Sequence, residues 1–289
     1  MLLILFNSFV ELKEDSRYDD DIDPSIFNSF ATAAYRFGHS MIQGIIQMYT
    51  EAGVFQEEYP LNENFFNLEK YHADSGLGME KILMGLVTQA AQTNDRFVTS
   101  EVTNLLFPEE GADFGSDLVA RNIQRGRDHG LPSYVAFYDH YFGQPRNDKE
   151  DMDCWDHKPD SISQTNWDLL STIYAHPHHI DLFVGGLAED PVSGGLTGKV
   201  FNAIKVKQFK SLMDGDRFFF THENQPGSFT RDAQREIMDR KLSDIMCENT
   251  SLEKVPSNAF QVHDSRDNRY KTCATSVNEL NLSKINLLQ

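Results

Sequence analysis

Apolar residues recur at three- and four-residue steps through Phe27, Phe30, Ala34, Phe37, Met41, Ile45 and Met48, ending near Gly53. That period matches the turn of an α-helix and predicts one long helix with a single apolar face. The same stretch carries Arg36 and His39 three positions apart, which a helix projects from nearly the same side. Whatever else the chain forms, it must place that pair.

Helical patterning returns over 79–93, 100–107, 118–127, 133–142, 167–176, 200–213 and 231–246, the last with Ser228 or Thr230 as its cap. Strand-like alternation is scarce. The polar stretch 144–165, with Pro145 and Pro159, predicts an exposed connection, and 185–196 predicts a glycine-rich turn. Its glycines lack phosphate-loop spacing, and no Gly-Lys-Ser/Thr follows. Asp19-Asp20-Asp21 resembles an acidic metal loop but lacks the glycine and terminal glutamate of an EF-hand. It reads instead as a solvated loop whose charge suits the first turn of the following helix. With no repeat and no clear linker, a mainly α-helical domain is expected.

A formal net charge of -18 argues against nucleic acid or an anionic membrane as a partner, and no apolar run approaches membrane-spanning length. The apolar run at the N-terminus has neither a preceding basic residue nor a small-residue cleavage site, so it does not read as a signal peptide. Asn249 and Asn281 nonetheless head glycosylation sequons. The three cysteines, Cys154, Cys247 and Cys273, exclude a small disulfide scaffold and form no Cys-x-x-Cys knuckle.

An arginine beside a histidine is hard to bury unless something anionic receives the guanidinium. A haem would meet that need, its iron taking an imidazole nitrogen and its propionates the arginine, although spacing alone suits a structural histidine better. The segment 120–134, "ARNIQRGRDHGLPSY", packs Arg121, Arg125, Arg127, Asp128 and His129 into an otherwise acidic chain. Such clustering suits either an anionic ligand or a buried ion-pair network. Asp128 and His129 could imitate part of a hydrolase triad, but no Gly-x-Ser-x-Gly elbow exists. His176, His178 and His179 flank a proline, which favours a solvated turn over a zinc site.

Taken together, "DPSIFNSFATAAYRFGHSMI" and "ARNIQRGRDHGLPSY" resemble the proximal-histidine helix and the signature segment of the animal haem peroxidase family. The resemblance continues in order through "HIDLFVGGLAEDPVSGGL", "KQFKSLMDGDRFFF" and "DIMCENTSLEKVPSNAFQ", from about Ile22 to Cys273. It implies the helical animal haem peroxidase fold, incomplete at the N-terminus, with 1–21 a separate segment and 22–289 the C-terminal, proximal part of the domain. It also implies haem b as cofactor, with His39 binding the iron, Asn122 accepting the histidine's second ring N–H, and Arg36 and Arg125 near the haem carboxylates. Cys247 and Cys273 match a family disulfide. Ala203 stands where a cysteine partner is usual, which leaves Cys154 free or paired outside the chain.

The family resemblance further implies hydrogen peroxide and a small reducing substrate as partners, and an extracellular location. Peroxide cleavage in this family also needs a distal histidine and arginine, and a calcium loop lies in the same upstream region. Only 38 residues precede His39, itself the first histidine, and no such set is found among them. The isolated chain is therefore expected to be inactive, with the missing N-terminal half as its natural complement. A non-catalytic extracellular or adhesion module is the alternative, against which the retention of all four haem-side residues counts.

Overall fold

In the computed structural model, which describes residues 18–109, 111–143, 155–263 and 266–276, the apolar run from Phe27 is not one long helix. It forms α1 (Asn28–Thr32), a 3₁₀ turn (Ala34–His39) and then strand β1 (Ile45–Tyr49). At Ala33 the backbone leaves the helical region, with φ -134° and ψ -70°. Gly44 then carries the chain against Thr99 and Glu101, where a Cβ would lie 2.4 Å from the threonine hydroxyl. The helical spacing is real only as far as Phe37. The acidic run lies ahead of α1 rather than in its first turn: Asp23 Oδ1 accepts from the Ser25 amide at 2.8 Å, and Phe27 is the N-cap.

β1 pairs antiparallel with β2 (Phe55–Pro60), with a bulge at Met48/Tyr49, and lies on α2 (Gly78–Thr88). The contact is close because position 85 is glycine: a Cβ there would sit 1.7 Å from the Gln47 carbonyl oxygen. The expected helix 100–107 shrinks to one turn, Ser100–Thr103, before Leu106 bridges to Ser116.

The main core is built by α3 (Leu118–Asp128), α4 (Tyr134–Phe142), α5 (Gln164–Ile173), α6 (Leu182–Ala188) and α7 (Lys199–Gly215) against α1 and the 3₁₀ turn. Asp117, Ser133 and Ser163 cap α3, α4 and α5, each accepting from the backbone amide three residues on. Ala33, Ala34, Val135, Ile180, Val200 and Phe201 are fully buried at the centre.

Two expectations fail here for packing reasons. Gly185 and Gly186 fall inside helix α6, not in a turn, because Tyr134 and Phe201 lie directly over them; a Cβ would come within 2.1 and 2.2 Å of those rings. The true turn is at Gly194, with φ +73°. The described end of the supposedly exposed connection is also packed: Ile162 is buried, and Trp155 accepts a 2.7 Å bond from Trp167 Nε1. Glu189, buried beyond α6, ties these parts together by accepting from Tyr134 Oη, Ser161 Oγ and the Val200 amide at 2.8, 2.7 and 2.9 Å. Burial raises its pKa in spite of those donors.

The expected helix 231–246 is two: α8 (Arg231–Met238), capped by Thr230, and α9 (Leu242–Asn249), whose Asp244 bonds back to the Lys241 amide. A second apolar cluster, with Met84, Val87, Met246 and Val255, joins α2 to α9 and to the β3 (Lys254–Pro256)–β4 (Tyr270–Thr272) ribbon. The Cys247–Cys273 disulfide lies against it. No helix among the described residues is long and apolar enough to cross a membrane.

Candidate functional site

The 3₁₀ turn brings Arg36 and His39 into register more fully than an α-helix would, since its side chains at i and i+3 eclipse. Phe37, buried between them, anchors the turn in the main core. Beyond His39, buried Ser40 Oγ donates to buried Asn94 Oδ1 at 2.8 Å, and Asn94 Nδ2 in turn holds the Leu196 carbonyl. Sequence reading missed this brace, because an isolated Ser and Asn 54 positions apart carry no local signal.

Opposite the turn runs α3, which contributes a fully buried Asn122. Arg36 Nη1 donates to Asn122 Oδ1 at 2.8 Å, and Asn122 Nδ2 lies 2.9 Å from His39 Nδ1. Arg36 Nε also donates to the Ala31 carbonyl at 3.0 Å. The three residues singled out in the sequence are thus one hydrogen-bonded chain. Arg36 can only donate, so it faces the carbonyl end of the amide, and the direction of the Asn122–His39 bond follows the tautomer of the ring.

The arginine cluster separates into distinct roles. Arg127 makes a two-pronged pair with Asp181, at 2.9 and 2.7 Å, and Tyr174 Oη donates to the same carboxylate at 2.8 Å. Arg121 Nε donates to Ser116 Oγ at 2.6 Å. The Arg125 side chain is exposed and makes neither hydrogen bond nor ion pair among the described residues, and none of the described partners of the Arg36 side chain is a carboxylate. Burial, and then the charge of Arg125, lower the pKa of Arg36. Two neighbouring arginines without a carboxylate, in so acidic a chain, form a place for an anion.

His39 is half-buried, and burial followed by the charge of Arg36 lowers its pKa. Neutral imidazole, the form that can donate electrons to a metal, is therefore favoured near neutrality. No partner occupies Nε2 among the described residues, and a Cβ placed on the adjacent Gly38 would meet nothing within 4 Å. A group carrying both a metal and carboxylates fits this donor set.

Other candidates are accounted for structurally. His129 Nδ1 bonds to Asn28 Oδ1 at 2.8 Å and Asp128 Oδ1 accepts from Gln124, so these two form no triad. His176 and His178 stack at 5.4 Å around a 3₁₀ turn (Pro177–His179), with His178 and His179 exposed. The carboxylates of Asp19, Asp20 and Asp21 lie within 4.8 Å of one another on an exposed turn. Asn249 is exposed at the end of α9, whereas Cys154 and Asn281 lie outside the described residues. Cys247 and Cys273 are joined, as the resemblance implied.

Known proteins are similar to this chain in sequence and in fold. The chain is 36% identical over 252 residues to thyroid peroxidase of Sus scrofa, covering 85% of this chain and 26% of that protein. It is 33% identical over 275 residues to chorion peroxidase of Drosophila melanogaster, covering 93% and 32%. Among solved structures, peroxidase A from Dictyostelium discoideum superposes with a TM-score of 0.69 at 27% identity, over 91% of this chain and 46% of that one. The chain thus spans a third or less of the length of these two sequence relatives. Residues 3–260 match the family described as Animal haem peroxidase, and with His39, Asn122, Arg36 and Arg125 gathered at one place, the chain belongs to that family.

Proposed function

We propose that these residues furnish the proximal side of a haem peroxidase site that uses hydrogen peroxide to oxidise a halide, phenolic or tyrosyl substrate. The observation that carries this reading is the half-buried His39 beside Arg36, which with its neighbour Arg125 faces no carboxylate among the described residues. His39 Nε2 would hold the iron of haem b, and Arg36 and Arg125 would hold its carboxylates. When bound, the haem supplies the redox chemistry, reacting with peroxide and passing the oxidising equivalents to the substrate. The chain's own part is to orient and bind. Asn122 fixes the plane of the imidazole ring, Phe37 anchors the turn, and the Ser40–Asn94 brace holds the backbone beyond His39.

The proton transfers that split peroxide would come from distal groups carried by sequence upstream of the part represented by 22–289, together with the calcium loop of the family. An extracellular setting, with Asn249 and Asn281 as glycosylation sites, is supported by the Cys247–Cys273 disulfide.

Titrating ferric haem into the 289-residue chain and into His39→Ala tests the assignment. Weak uptake with an absorption band that requires His39 is expected, and efficient peroxide turnover is expected only once the upstream part of the domain is restored. Equal spectra for the two proteins overturn the role of His39. Fast turnover by the 289 residues alone overturns the division between two sides.

A further inference from the structure

An open groove of about 330 Å³ lies where α1, the turn after α3, α4 and α7 meet. That volume is at the lower end of the roughly 300–1,000 Å³ of small-molecule sites. Its apolar lining is Phe27, Leu131, Phe137 and Tyr141, each half-buried against the main core. The walls are tied together before anything binds. Asn28 Nδ2 donates to the His129 carbonyl at 3.1 Å and Asn28 Oδ1 lies 2.8 Å from His129 Nδ1, which clasps α1 to the turn. The fully buried Gln208 of α7 accepts from the Phe27 amide at 2.6 Å and donates to the Ser25 carbonyl at 3.2 Å, which holds α7 against the start of α1.

Three polar groups of the groove are uncommitted. Lys207 is exposed and makes neither hydrogen bond nor ion pair among the described residues, and no acidic residue lines the groove. The hydroxyls of Ser29 and Tyr141 have no hydrogen-bond partner among the described residues either. Burial raises the pKa of Tyr141, which keeps that hydroxyl a donor. In a chain of net charge -18, such a lysine at the edge of four apolar side chains is matched by a ligand of opposite charge with an apolar body. We propose that the groove binds a small amphipathic carboxylate. Its aromatic or short alkyl body lies on Phe27, Leu131 and Phe137, and its carboxylate meets Lys207, with the Ser29 and Tyr141 hydroxyls as further donors.

None of Arg36, His39, Asn122 and Arg125 lines this groove, so its occupancy is separate from the haem-side residues. The occupant touches α1, the turn, α4 and α7 at once. Since α1 leads directly into the 3₁₀ turn that carries His39, occupancy holds the approach to that turn in place. The folded chain then gains stability with ligand concentration by mass action.

The test is calorimetric titration of the 289-residue chain with 3-phenylpropanoate and with its uncharged counterpart 3-phenylpropan-1-ol, at neutral pH and low salt. Saturable binding of one acid per chain is expected, about fivefold tighter than the alcohol, the upper end for a partly exposed charge pair. Lys207→Gln should bring the acid down to the alcohol and leave the alcohol unchanged. Lys210→Gln, at an exposed lysine outside the groove, should keep the preference. The Leu131 methyl resonances of the wild type should shift with the same affinity as the heat. Equal affinities for acid and alcohol in the wild type overturn the proposal, as do a preference that survives Lys207→Gln and Leu131 methyls that do not move. Sedimentation as a dimer that neither ligand enters gives the groove to a second copy of the chain, and overturns it too.

Discussion

Lys205 of α7 is 2% exposed, with Nζ 4.3 Å from the centre of the Phe37 ring, directly behind the turn that carries His39. Burial takes its pKa from the ordinary 10.5 down to about 7. Between those values the unfolded chain binds more protons than the folded one, so stability must rise with pH across that window. The Lys205 contribution to the slope is at most about 1.4 kcal/mol per pH unit. Urea unfolding of wild type and Lys205→Met at pH 7.5, 8.5 and 9.5 should show the wild type gaining on the variant as pH rises, and parallel curves would refute the burial argument. Lys205 gave no signal in the sequence, where it reads as one polar position of an amphipathic helix. Arg36, His39 and Asn122 were legible because a long motif carried them. The bond from Arg36 to Asn122 was not, since it joins side chains 86 positions apart.

Elements were legible where local chemistry agreed with packing. Helices α3, α4 and α7 fall within a few residues of their periodic patterns, and the caps Ser133 and Thr230 sit where their side chains can accept. Helix α6 shows why the rest was not. Two adjacent glycines signal a turn by intrinsic preference, yet here they are needed for two aromatic rings to rest on a helix. This has a testable sign. Glycine to alanine in a helix interior ordinarily gains about 1 kcal/mol. Gly185→Ala would instead force a methyl group to within 2.1 Å of Tyr134 Cγ, and the overpacking should cost about 1–3 kcal/mol net. A lower denaturation midpoint is the expected result, and a higher one would mean that Tyr134 yields easily. The same logic explains β1. Its Ile-Ile-Gln-Met-Tyr sequence continued a helical spacing, but Gly85 lets the extended β1 backbone lie directly on α2.

At the scale of the molecule, two clusters gather most of the buried apolar side chains among the described residues, and the site lies on the larger one. The smaller one depends on short pieces: the three-residue strands β3 and β4, one face of α2, and α9. Elements that short contribute little by themselves, so the Cys247–Cys273 bond, closing a span of 26 positions, matters there. Loop-closure entropy puts its value at about 3 to 4 kcal/mol. From His39 the chain runs on to β1, which lies on α2, and no side chain of the site belongs to the smaller cluster. Cys247→Ser/Cys273→Ser should therefore loosen the small cluster while sparing the site. Hydrogen exchange should show lost protection in α2, α9 and β3, with α3 and α7 unchanged. Equal loss in α3 and α7 would show that the clusters unfold as one unit, and the disulfide would then support the haem-side residues as directly as the core that surrounds them.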